Sequence, residues 1–497
     1  MINREGRRMR TPRELIVMYW DRVWNNGELE LVREICGDPI TRHDASTVIK
    51  LSHDEQIERI RYRRTQSEPY FTHEVVLADD TFVCSVWNAH TRKGTPIQRC
   101  GIEVFQAENG RLTHCWNSPY ISGRWGREGD PAVPANLKAP EILDSLEQIS
   151  PEWLQRLFAH SGTEVPLVTI ARNEQIGQGT VCSTAKVNIA YNIPSPAPQT
   201  VFAKFHPASP HLGAKAVRFG YFPREVAAYN LLSSDPPVQI PRVYLAQTNK
   251  EGTKLNLVLE DLSHRCRLGN QLDGCNTAEA AAVVEQLARL HRRFLNSKEL
   301  NQITWGVEQC FDKSHLETSY SSGATICHDR FANQLGKAEF SIIDEFGPLV
   351  GSWWDRKSDF RTLLHGDPRV DNILFEMGAG GNPSAYLVDW QLARIGDPQI
   401  DVAYFLTGSL SAQDRRTCER DLVKRHAALV REIEPCYTDE IAMHSYRLNT
   451  VAGLLYTVGA ANKLPENPSI AALLLALVKR NCTAVEDWGS LNGLRSR

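Results

Sequence analysis

Five polar residues stand between apolar flanks in the stretch LLHGDPRVDNILFE, residues 363–376. His365, Asp367 and Asn372 follow the spacing H-x-D-x4-N, and Arg369 stands two residues after the first aspartate. Buried charged groups need partners or a task, so a purely structural turn explains this composition poorly. A carboxylate, an amide oxygen and a nearby cation are the groups that phosphoryl transfer from ATP requires.

A second aspartate, Asp389, follows the apolar segment AYLV and adds an oxygen ligand. The spacing from Asp367 to Asn372 matches the catalytic loop of the kinase signature, in which the asparagine and a later aspartate hold the metal. Mg²⁺ prefers hard oxygen ligands, which an amide carbonyl, a carboxylate and phosphate oxygens supply. We therefore predict Asp367 as the catalytic base and Asn372 and Asp389 as magnesium ligands.

Three features upstream fit the same chemistry in the order that a kinase small lobe requires. A glycine-rich turn with Gly177 and Gly179 joins two strand-like segments, where its backbone would cover phosphates. Lys204 lies in the next apolar strand, VFAKF, and Glu225 begins the helix that follows. We expect the lysine to bind phosphates and the glutamate to hold the lysine in place.

The segment LVLEDL, residues 257–262, is expected to be the hinge strand. Its Glu260 and Leu262 would offer backbone groups to adenine, so ATP and Mg²⁺ are the predicted cofactors. Each of these features is weak alone, because short glycine motifs and strand lysines are common. The ordered set is specific, and it predicts a kinase-like fold.

The chain of 497 residues is too long for one ordinary core and predicts two to four domains. Its net charge of -3 gives no reason to expect a nucleic-acid partner. The longest apolar run, residues 469–478, is about half of what a bilayer span needs. Twelve cysteines without a CxxC pair predict reduced thiols, so we expect a cytoplasmic protein with no membrane partner.

A composition shift at GREGDPAVPANLKAPE, residues 126–141, divides the chain, because this Pro-, Gly- and Ala-rich stretch has no helical or alternating period. Before it, two helices and then two long hairpins are predicted. After it, a strand-rich part precedes helices, with Thr277 as the expected cap of a long helix and three helices within 412–485. The expected divisions are a first domain at 1–125, a linker at 126–144, a small lobe at 145–262 and a large lobe at 263–497.

Residues 145–497 resemble the aminoglycoside phosphotransferase/choline kinase superfamily, and most closely its ecdysteroid kinase-like branch. The segments PEWLQRLF, LVLEDLS, LLHGDPRVDNILF and LVDWQLARIGDPQIDVAYFLTGSL carry the resemblance. It implies a two-lobed fold and transfer of phosphate from ATP to the hydroxyl of a small molecule. Position by position, it assigns the base to Asp367, the magnesium ligands to Asn372 and Asp389, the phosphate-binding lysine to Lys204 and its partner to Glu225.

The resemblance also implies that His365 braces the loop and that Asp401 fixes the loop from the next helix. For Asp401, a helix N-terminal acid favoured by the dipole is the alternative explanation. Arg369 could reach the γ-phosphate with its fixed charge or pair with Asp371 as scaffold. Cys182 stands where GxGxxG has its third glycine, so the phosphate loop is expected to be looser or to close differently.

The expected acceptor is a small molecule rather than a protein, because Asp389-Trp390-Gln391 replaces DFG and no APE segment follows. A polycationic aminoglycoside would require a carboxylate-rich wall, yet residues 441–460 and 467–480 contain no Asp or Glu. We expect a neutral or apolar acceptor that is sterol-, polyketide- or acyl-like, although mutual packing of these helices explains their composition equally well. A nucleotide-binding pseudokinase or scaffold is the alternative function, suggested by the missing third glycine.

Most of residues 10–125 resemble the SnoaL-like branch of the NTF2-like cone fold, with GIEVFQAENGRLTHCW closest to its final strands. The whole chain is thus expected to be α+β, a cone domain followed by a two-lobed kinase-like domain. The resemblance implies a small-molecule pocket, possible cyclase or isomerase chemistry, and a homodimer through the sheet. The pocket candidates are His43, Asp44, Trp87, His90, His114 and Trp116, and filling of a small core is their alternative explanation.

Overall fold

The computed structural model describes residues 9–44, 47–91, 98–118, 121–122, 125, 139–178, 181–207, 210–305, 312–378, 380–461 and 467–496. The chain divides into two compact units, Met1–Leu137 and Lys138–Arg497. The division falls within the stretch 126–144 that the sequence predicts as a linker. Each unit has its own hydrophobic core.

The N-terminal unit packs its helices on one face of a mixed sheet with the strand order β2-β1-β6-β5-β4-β3. Its helical segments are α1 (Pro12–Val17), the π-helical Met18–Asn25, the 3₁₀ turn Leu29–Leu31, α2 (Val32–Ile35) and α3 (His53–Ser67). Its strands are β1 (Cys36–Asp44), β2 (Thr47–Leu51), β3 (Pro69–Ala78), β4 (Phe82–Thr91), β5 (Gln98–Glu108), β6 (Arg111–Asn117) and β7 (Ile121–Ser122).

Both hairpins expected in this unit are present, as β3–β4 and β5–β6. Asn109 and Gly110, which connect β5 to β6, both have positive φ, at 51° and 73°, as a two-residue hairpin turn requires. The β1–β2 hairpin and α3 were not predicted. The apolar signal there is weak, because β2 is exposed and α3 contributes only two side chains, Ile57 and Ile60, to the described core.

The C-terminal unit begins with a five-stranded antiparallel sheet in the order β11-β12-β10-β9-β8. The elements of this small lobe are α4 (Pro151–His160), β8 (Val168–Gln178), β9 (Ser183–Tyr191), β10 (Thr200–Phe205), α5 (Pro210–Arg218), α6 (Tyr221–Ser234), β11 (Val243–Thr248) and β12 (Leu255–Glu260). Because β10 lies in the middle of the sheet, Lys204 is not on an edge strand.

The large lobe is mainly helical and carries two small sheets, β13-β15-β16 and β14-β17. Its strands are β13 (Cys266–Leu268), β14 (Thr362–Leu364), β15 (Ile373–Met377), β16 (Pro383–Leu387) and β17 (Arg394–Gly396). Its α-helices are α7 (Thr277–Phe294), α8 (Lys313–Phe331), α9 (Lys337–Phe346), α10 (Val350–Trp354), α11 (Pro398–Ser409), α12 (Ala412–Arg431), α13 (Asp439–Asn449), α14 (Val451–Ala460), α15 (Pro468–Trp488) and α16 (Ser490–Arg495). The expected α+β class and two-lobed plan are confirmed.

Two details of the predicted helices are wrong. The cap of α7 is Asn276, whose Oδ1 accepts the backbone N–H groups of Ala278 and Glu279, and Thr277 is the first helical residue. Asparagine is the stronger of the two residue types at this position. The sequence predicted three helices within 412–485, and the structure has four, α12 to α15. The apolar pattern continues across Thr450, where α13 ends and α14 begins, so it does not mark that boundary.

One described helix, α15, would qualify as a membrane span by length and composition alone. A third of its most apolar window is buried inside the protein, and core helices of soluble proteins meet the same criterion. The finding is weak evidence for a membrane, and the expected lack of a membrane partner stays a prediction.

Candidate active site

Three side chains that are distant in sequence meet at Lys204. Its Nζ donates to Glu225 Oε1 at 2.8 Å and to Asp389 Oδ1 at 3.0 Å. Lys204 comes from β10, Glu225 from α6, and Asp389 follows β16. Lys204 and Glu225 are buried. The structure therefore contains the lysine–glutamate pair expected from the sequence and adds the metal-ligand candidate to it.

One ammonium group is shared here by two carboxylates of unequal proton affinity. Burial raises the pKa of Glu225 to about 7, against the opposing charge of Lys204. Burial also disfavours the ionised form of Asp389, but the charge and hydrogen bond of Lys204 outweigh it and lower the pKa of that carboxyl. Desolvation of Lys204 is likewise outweighed by the two carboxylates, which raise its pKa well above the ordinary value. The Lys204–Asp389 pair is therefore ionised at neutral pH.

The candidate catalytic loop, residues 365–372, brings Asp367 and Asn372 into direct contact. Asn372 Nδ2 donates to the backbone carbonyl of Asp367 at 2.9 Å and to its Oδ2 at 3.1 Å. Asp367 Oδ1 accepts the hydroxyl of Tyr404 at 2.9 Å. With its NH₂ group turned to Asp367, Asn372 keeps its Oδ1 free of donors from the described part of the chain. That oxygen is available to a cation.

His365 connects the loop of Asp367 to the strand end that carries Asp389. Its Nε2 donates to the carbonyl of Val388 at 3.0 Å, and its Nδ1 accepts the backbone N–H of Asp367 at 3.4 Å. Burial lowers the pKa of His365, so the ring is neutral with its proton on Nε2. The side chain thus holds the loop in place, as the family resemblance implied. Both ring nitrogens are occupied by backbone groups, so His365 is not placed to act as an acid or base.

Asp401 holds the backbone of the same loop from α11. One carboxylate oxygen accepts the N–H of His365 at 2.7 Å and the other accepts that of Gly366 at 3.0 Å. Gly366 has φ +85°, and a Cβ there would lie 2.0 Å from the carbonyl oxygen of Leu392. Asp401 lies in the first turn of α11 as well, so both explanations of this residue describe real features.

A chain of buried side chains extends from Asp401 into the large lobe. His291 Nε2 lies 3.3 Å from Asp401 Oδ2, and His291 Nδ1 lies 2.8 Å from His426 Nε2. Gln399 Nε2 donates to His426 Nδ1 at 3.1 Å. Burial opposes ionisation of Asp401, but the hydrogen bond and charge of His291, together with electrostatic interactions with His365 and Arg394, outweigh it and lower the pKa of the carboxyl. The chain keeps the carboxylate charged where the loop needs an acceptor.

Replacement of His426 by Gln is expected to weaken the acid sensitivity of the fold. Burial depresses the pKa of His426 well below 6.5, so the unfolded chain takes up a proton that the folded chain refuses. Stability is therefore lost progressively as pH falls below 6.5, by up to about 1.4 kcal/mol per pH unit for one proton. When the free energy of unfolding is measured by urea titration at several pH values between 7 and 5, it should change less with pH in His426→Gln than in the wild type. Substitution of the exposed His444 by Gln is the control, and equal slopes in both variants and the wild type would contradict the assignment.

Arg369 lies closer to the carboxylate of Asp367 than to that of Asp371. Its Nε lies 3.4 Å from Asp367 Oδ2, whereas its Nη1 lies 4.0 Å from Asp371 Oδ2. Asp371 Oδ1 accepts the backbone N–H of Gln271 at 2.8 Å, which gives that carboxylate another partner. Two-fifths of the Arg369 side chain is exposed. Its charge therefore stands beside the candidate base and remains accessible to a phosphate.

The hinge strand leaves one of its predicted groups free. The N–H of Glu260 donates to the carbonyl of Arg242 at 2.8 Å, and the carbonyl of Leu262 accepts the N–H groups of Arg265 and Cys266. No acceptor among the described residues takes the N–H of Leu262, and its contact with adenine stays a prediction. Of the glycine turn, Gly177 lies in β8 and pairs with Thr184, and Gly179 falls outside the described residues.

Two residues near this site were missed by the sequence analysis. Tyr404, which bonds Asp367, follows Asp401 by three residues on α11, and this spacing on one helix face could have identified it. Arg224 is buried and donates to the backbone carbonyls of Trp305, Gln391 and Phe219. It ties α6 to the segment after Asp389, and no local pattern indicates this role.

The N-terminal candidates do not form one pocket. His43, His114 and Trp116 cluster on one face of the sheet, with His43 Nε2 3.1 Å from His114 Nδ1 and the His43 ring 4.7 Å from the Trp116 ring. Trp87 lies on the opposite face, against Trp20 of the helical core. The expectation of a shared pocket is wrong, because successive strand residues alternate between faces.

The same alternation separates the remaining two candidates. Asp44 follows His43 directly and therefore points to the other face, where it accepts a hydrogen bond from Asn117. His90 lies near the end of β4, opposite Tyr70 and Gln98. The part of this unit that the structure describes contains no cluster of three or more His, Cys, Asp or Glu that could hold a metal ion.

Comparison with known proteins gives one family match. The model of the ecdysteroid kinase-like family matches residues 180–436, more than half of the 497-residue chain. Acyl-CoA dehydrogenase family member 11 from Homo sapiens is 28% identical over 183 residues, which are 35% of this chain and 21% of that protein. The chain thus matches about a fifth of the length of this relative.

Solved structures resemble each unit separately. Ethanolamine kinase from Plasmodium vivax is 13% identical, with a TM-score of 0.39, and the match covers 66% of this chain and 87% of that chain. An NTF2-like protein from Cytophaga hutchinsonii is 12% identical, with a TM-score of 0.18, and the match covers 23% of this chain and 90% of that chain.

Proposed function

The chain belongs to the ecdysteroid kinase-like family, and from this premise we propose that it transfers the γ-phosphoryl group of ATP, with Mg²⁺, to the hydroxyl of a small molecule. The observation that carries the proposal is the double contact of Lys204 with Glu225 and Asp389. His365 joins the end of the strand before Asp389 to the loop of Asp367. The cation, the base and the ligand carboxylate therefore belong to one connected site.

The donor set fits magnesium. Asn372 presents an amide oxygen free of protein donors in the described residues, and Asp389 presents an ionised carboxylate. Both are hard oxygen ligands of the kind that Mg²⁺ prefers alongside phosphate oxygens and water. When bound, the ion neutralises charge that develops on the phosphates. Asn372 and Asp389 would hold it.

The protein's own groups then have separate tasks. Asp367 orients the acceptor hydroxyl and takes its proton, while Tyr404 and Asn372 hold the carboxylate in place. Lys204 binds phosphate oxygens, and Glu225 keeps the ammonium in position. Arg369, next to the base, supplies a further fixed positive charge. Positioning and electrostatics of this kind are most of what phosphoryl transfer needs.

We further propose that the acceptor is neutral or apolar, in the sterol-, polyketide- or acyl-like range. The lack of acids on α14 has a packing explanation, since most of that helix is buried. The support comes instead from the walls beside the base, where the rings of Tyr404 and Tyr456 lie 5.5 Å apart. The names of the family and of its human relative refer to steroid and acyl compounds, which lie in the same range.

One screen tests this function against its alternatives. The protein is incubated with a library of hydroxylated metabolites, with and without ATP and Mg²⁺, and the products are measured by mass spectrometry. The proposal predicts an ATP- and Mg²⁺-dependent gain of one phosphoryl group. Nucleotide binding without transfer to any compound would indicate a pseudokinase or scaffold, and an isomeric product without ATP would indicate chemistry in the N-terminal unit.

A specific observation favours small-molecule binding by the N-terminal unit as a second function. Trp20, Trp24 and His73 lie together in its interior, with the ring of Trp20 6.1 Å from that of Trp24 and 6.0 Å from that of His73. Nε1 of Trp20 and Nε2 of His73 are buried without a hydrogen-bond partner in the described residues. Buried polar atoms of this kind suit an oxygen-bearing ligand that the unit would bind, cyclise or isomerise.

The N-terminal unit is also proposed to form a homodimer through its outer sheet face. Paired positions across the strands make a row of Leu77, Cys84, Val104, Trp116, His43 and Val48, in which His43 is the one polar residue. Leu77 and Val48 are 66% and 63% exposed, although soluble monomers rarely present a continuous apolar face. A second copy of the same face would cover this row.

Introduction of a charge on this face is expected to dissociate the dimer. Leu77→Glu would place a carboxylate inside the apolar contact, where its desolvation opposes association. Analytical ultracentrifugation should find a dimeric wild type and a monomeric variant. Tyr62→Glu, at a similarly exposed position on α3, is the control and should remain dimeric. A monomeric wild type would contradict the proposal.

A further inference from the structure

A short segment between β13 and α7, Gly269–Gly274, packs directly behind the catalytic loop. A Cβ on Gly269 would lie 2.2 Å from the carbonyl oxygen of Val370, so only glycine allows this approach. The N–H of Gly269 donates to the carbonyl of Ile373 at 3.0 Å. Gly274 has φ +79°, and a Cβ there would lie 2.5 Å from the carbonyl oxygen of Ser409. The segment therefore packs closely against the loop on one side and against the end of α11 on the other.

Gln271 lies at the centre of this segment and is 3% exposed. Its Oε1 accepts the backbone N–H of Val370 at 2.6 Å, and its Nε2 donates to the carbonyl of Gly408 at 2.9 Å. Its own backbone N–H donates to Asp371 Oδ1 at 2.8 Å. The side chain thus uses its acceptor on the loop and its donor on the end of α11, which is a pairing that only an amide of this length provides.

The segment is itself anchored from α15. Arg480 Nη1 donates to the backbone carbonyls of Gln271 and Gly408, at 2.8 and 3.1 Å, and its Nη2 donates to that of Leu272 at 2.7 Å. One guanidinium group thereby joins the segment to the end of α11, and the segment cannot move independently of α11 and α15. Its position is set by two helices of the large lobe.

The two loop residues that Gln271 holds stand between the candidate base and the candidate metal ligand. Val370 and Asp371 occupy the 3₁₀ turn Val370–Asn372, and Asp367 lies before it. The geometry of this turn decides how Asn372 meets both Asp367 and a cation. A misplacement of about 1 Å in such a site costs on the order of 100-fold in rate.

We propose that Gln271 is a positioning residue for phosphoryl transfer, which keeps Asn372 in register with Asp367 by holding the N–H of Val370. The proposal rests on the proposed function, since it assigns a role within that site. Gln271 touches neither substrate nor metal in this role. It acts through the backbone of the catalytic loop.

The test compares Gln271→Met with a matched buried glutamine. Gln286 is 5% exposed in α7 and accepts the backbone N–H of Gln239 at 2.8 Å, and its side-chain hydrogen bonds among the described residues go to Gln239 and do not reach residues 365–372. Gln271→Met is expected to lower kcat 10- to 100-fold and to raise the Mg²⁺ concentration for half-maximal rate, with the KM for ATP changed less than threefold. Gln286→Met should lower the melting temperature by a similar amount and leave kcat and the Mg²⁺ requirement unchanged. A purely structural role would make the two variants alike, which overturns the proposal.

A second variant keeps the inference testable if Gln271→Met fails to fold. Val370→Pro removes the N–H that Gln271 accepts, at the first position of the turn, where proline fits and where Arg369 before it is already extended. Its kcat should fall as in Gln271→Met, and the double variant should show little additional loss, because both changes remove one interaction. An unchanged kcat, or fully additive losses, overturns the proposal.

Failure of the proposed function can be distinguished from failure of the positioning role of Gln271. A wild type that transfers phosphate to no acceptor would refute the function while leaving the role of Gln271 measurable by calorimetry. Mg²⁺-dependent ATP binding should then be weaker in Gln271→Met than in Gln286→Met, since Asn372 is displaced only in the first. Equal affinities would overturn the positioning role.

Discussion

Replacement of Asp367 by Asn is expected to lower kcat by about a thousandfold or more while leaving ATP affinity within a few-fold of the wild type. Its carboxylate contacts Asn372 and Tyr404 and is the predicted acceptor of the substrate proton. An amide of the same shape keeps contacts in the loop but cannot take that proton. Removal of a general base of this kind costs 10²- to 10⁴-fold, and ATP is held by other residues.

The measurement is steady-state kinetics on the acceptor found by the library screen, together with calorimetry of ATP binding. Asp397→Asn is a matched control, because Asp397 caps α11 and accepts the backbone N–H of Gln399 away from the reaction. That control is expected to leave both stability and kcat nearly unchanged, because asparagine caps a helix about as well as aspartate does. An Asp367→Asn rate within tenfold of the wild type would remove Asp367 from the role of base.

Replacement of Asp389 by Asn is expected to abolish the stimulation of ATP binding by Mg²⁺ and to lower kcat by at least a hundredfold. The change removes an ionised magnesium ligand and releases Lys204 from one of its two carboxylates. Glu225 then has the ammonium to itself, and because Asp389 contributes to raising the pKa of Glu225, that pKa should fall from about 7. Binding of ATP without metal should persist, since Lys204 remains available to the phosphates.

Calorimetric titration of ATP with and without Mg²⁺ separates these effects. Asp414→Asn, a change at a partly exposed carboxylate in the first turn of α12, is the control, because it alters the net charge by the same amount. An Asp389→Asn protein that still binds ATP more tightly with Mg²⁺ would show that the ion is held by other groups.

Much of the site could be predicted because its chemistry is concentrated in short motifs. The spacing from Asp367 to Asn372 lies within one loop, and the structure places the two side chains in contact. Lys204 and Glu225 are also in contact, although α5, which was not predicted, lies between the strand and the helix that carry them. The residue types and their order were thus sufficient to pair them, while the intervening helix was missed.

Other contacts had no local signal. Gln271 meets Val370 across about 100 residues of chain, and an amide that bonds two backbone groups looks like any polar loop residue in sequence. Arg224 likewise acts on the carbonyl groups of distant segments. Hydrogen bonds of this kind depend on how distant elements pack together, and neither residue type nor spacing predicts that packing.

The N-terminal unit shows a different limit. The sequence indicated its hairpins, because the turn residues and the alternating pattern are local. It did not indicate which face each strand residue takes, since a register shift of one residue exchanges the two faces. His43 and Trp87 were therefore grouped in one pocket, although the structure places them on opposite sides of the sheet.

The most direct test of the account is a crystal structure of the protein with Mg²⁺ and a non-hydrolysable ATP analogue. We predict that the ion contacts Asn372 Oδ1 and the Asp389 carboxylate, that Lys204 contacts the phosphates, and that the terminal phosphate faces Asp367. A nucleotide bound away from these four side chains, or an ion that touches neither ligand, would contradict it.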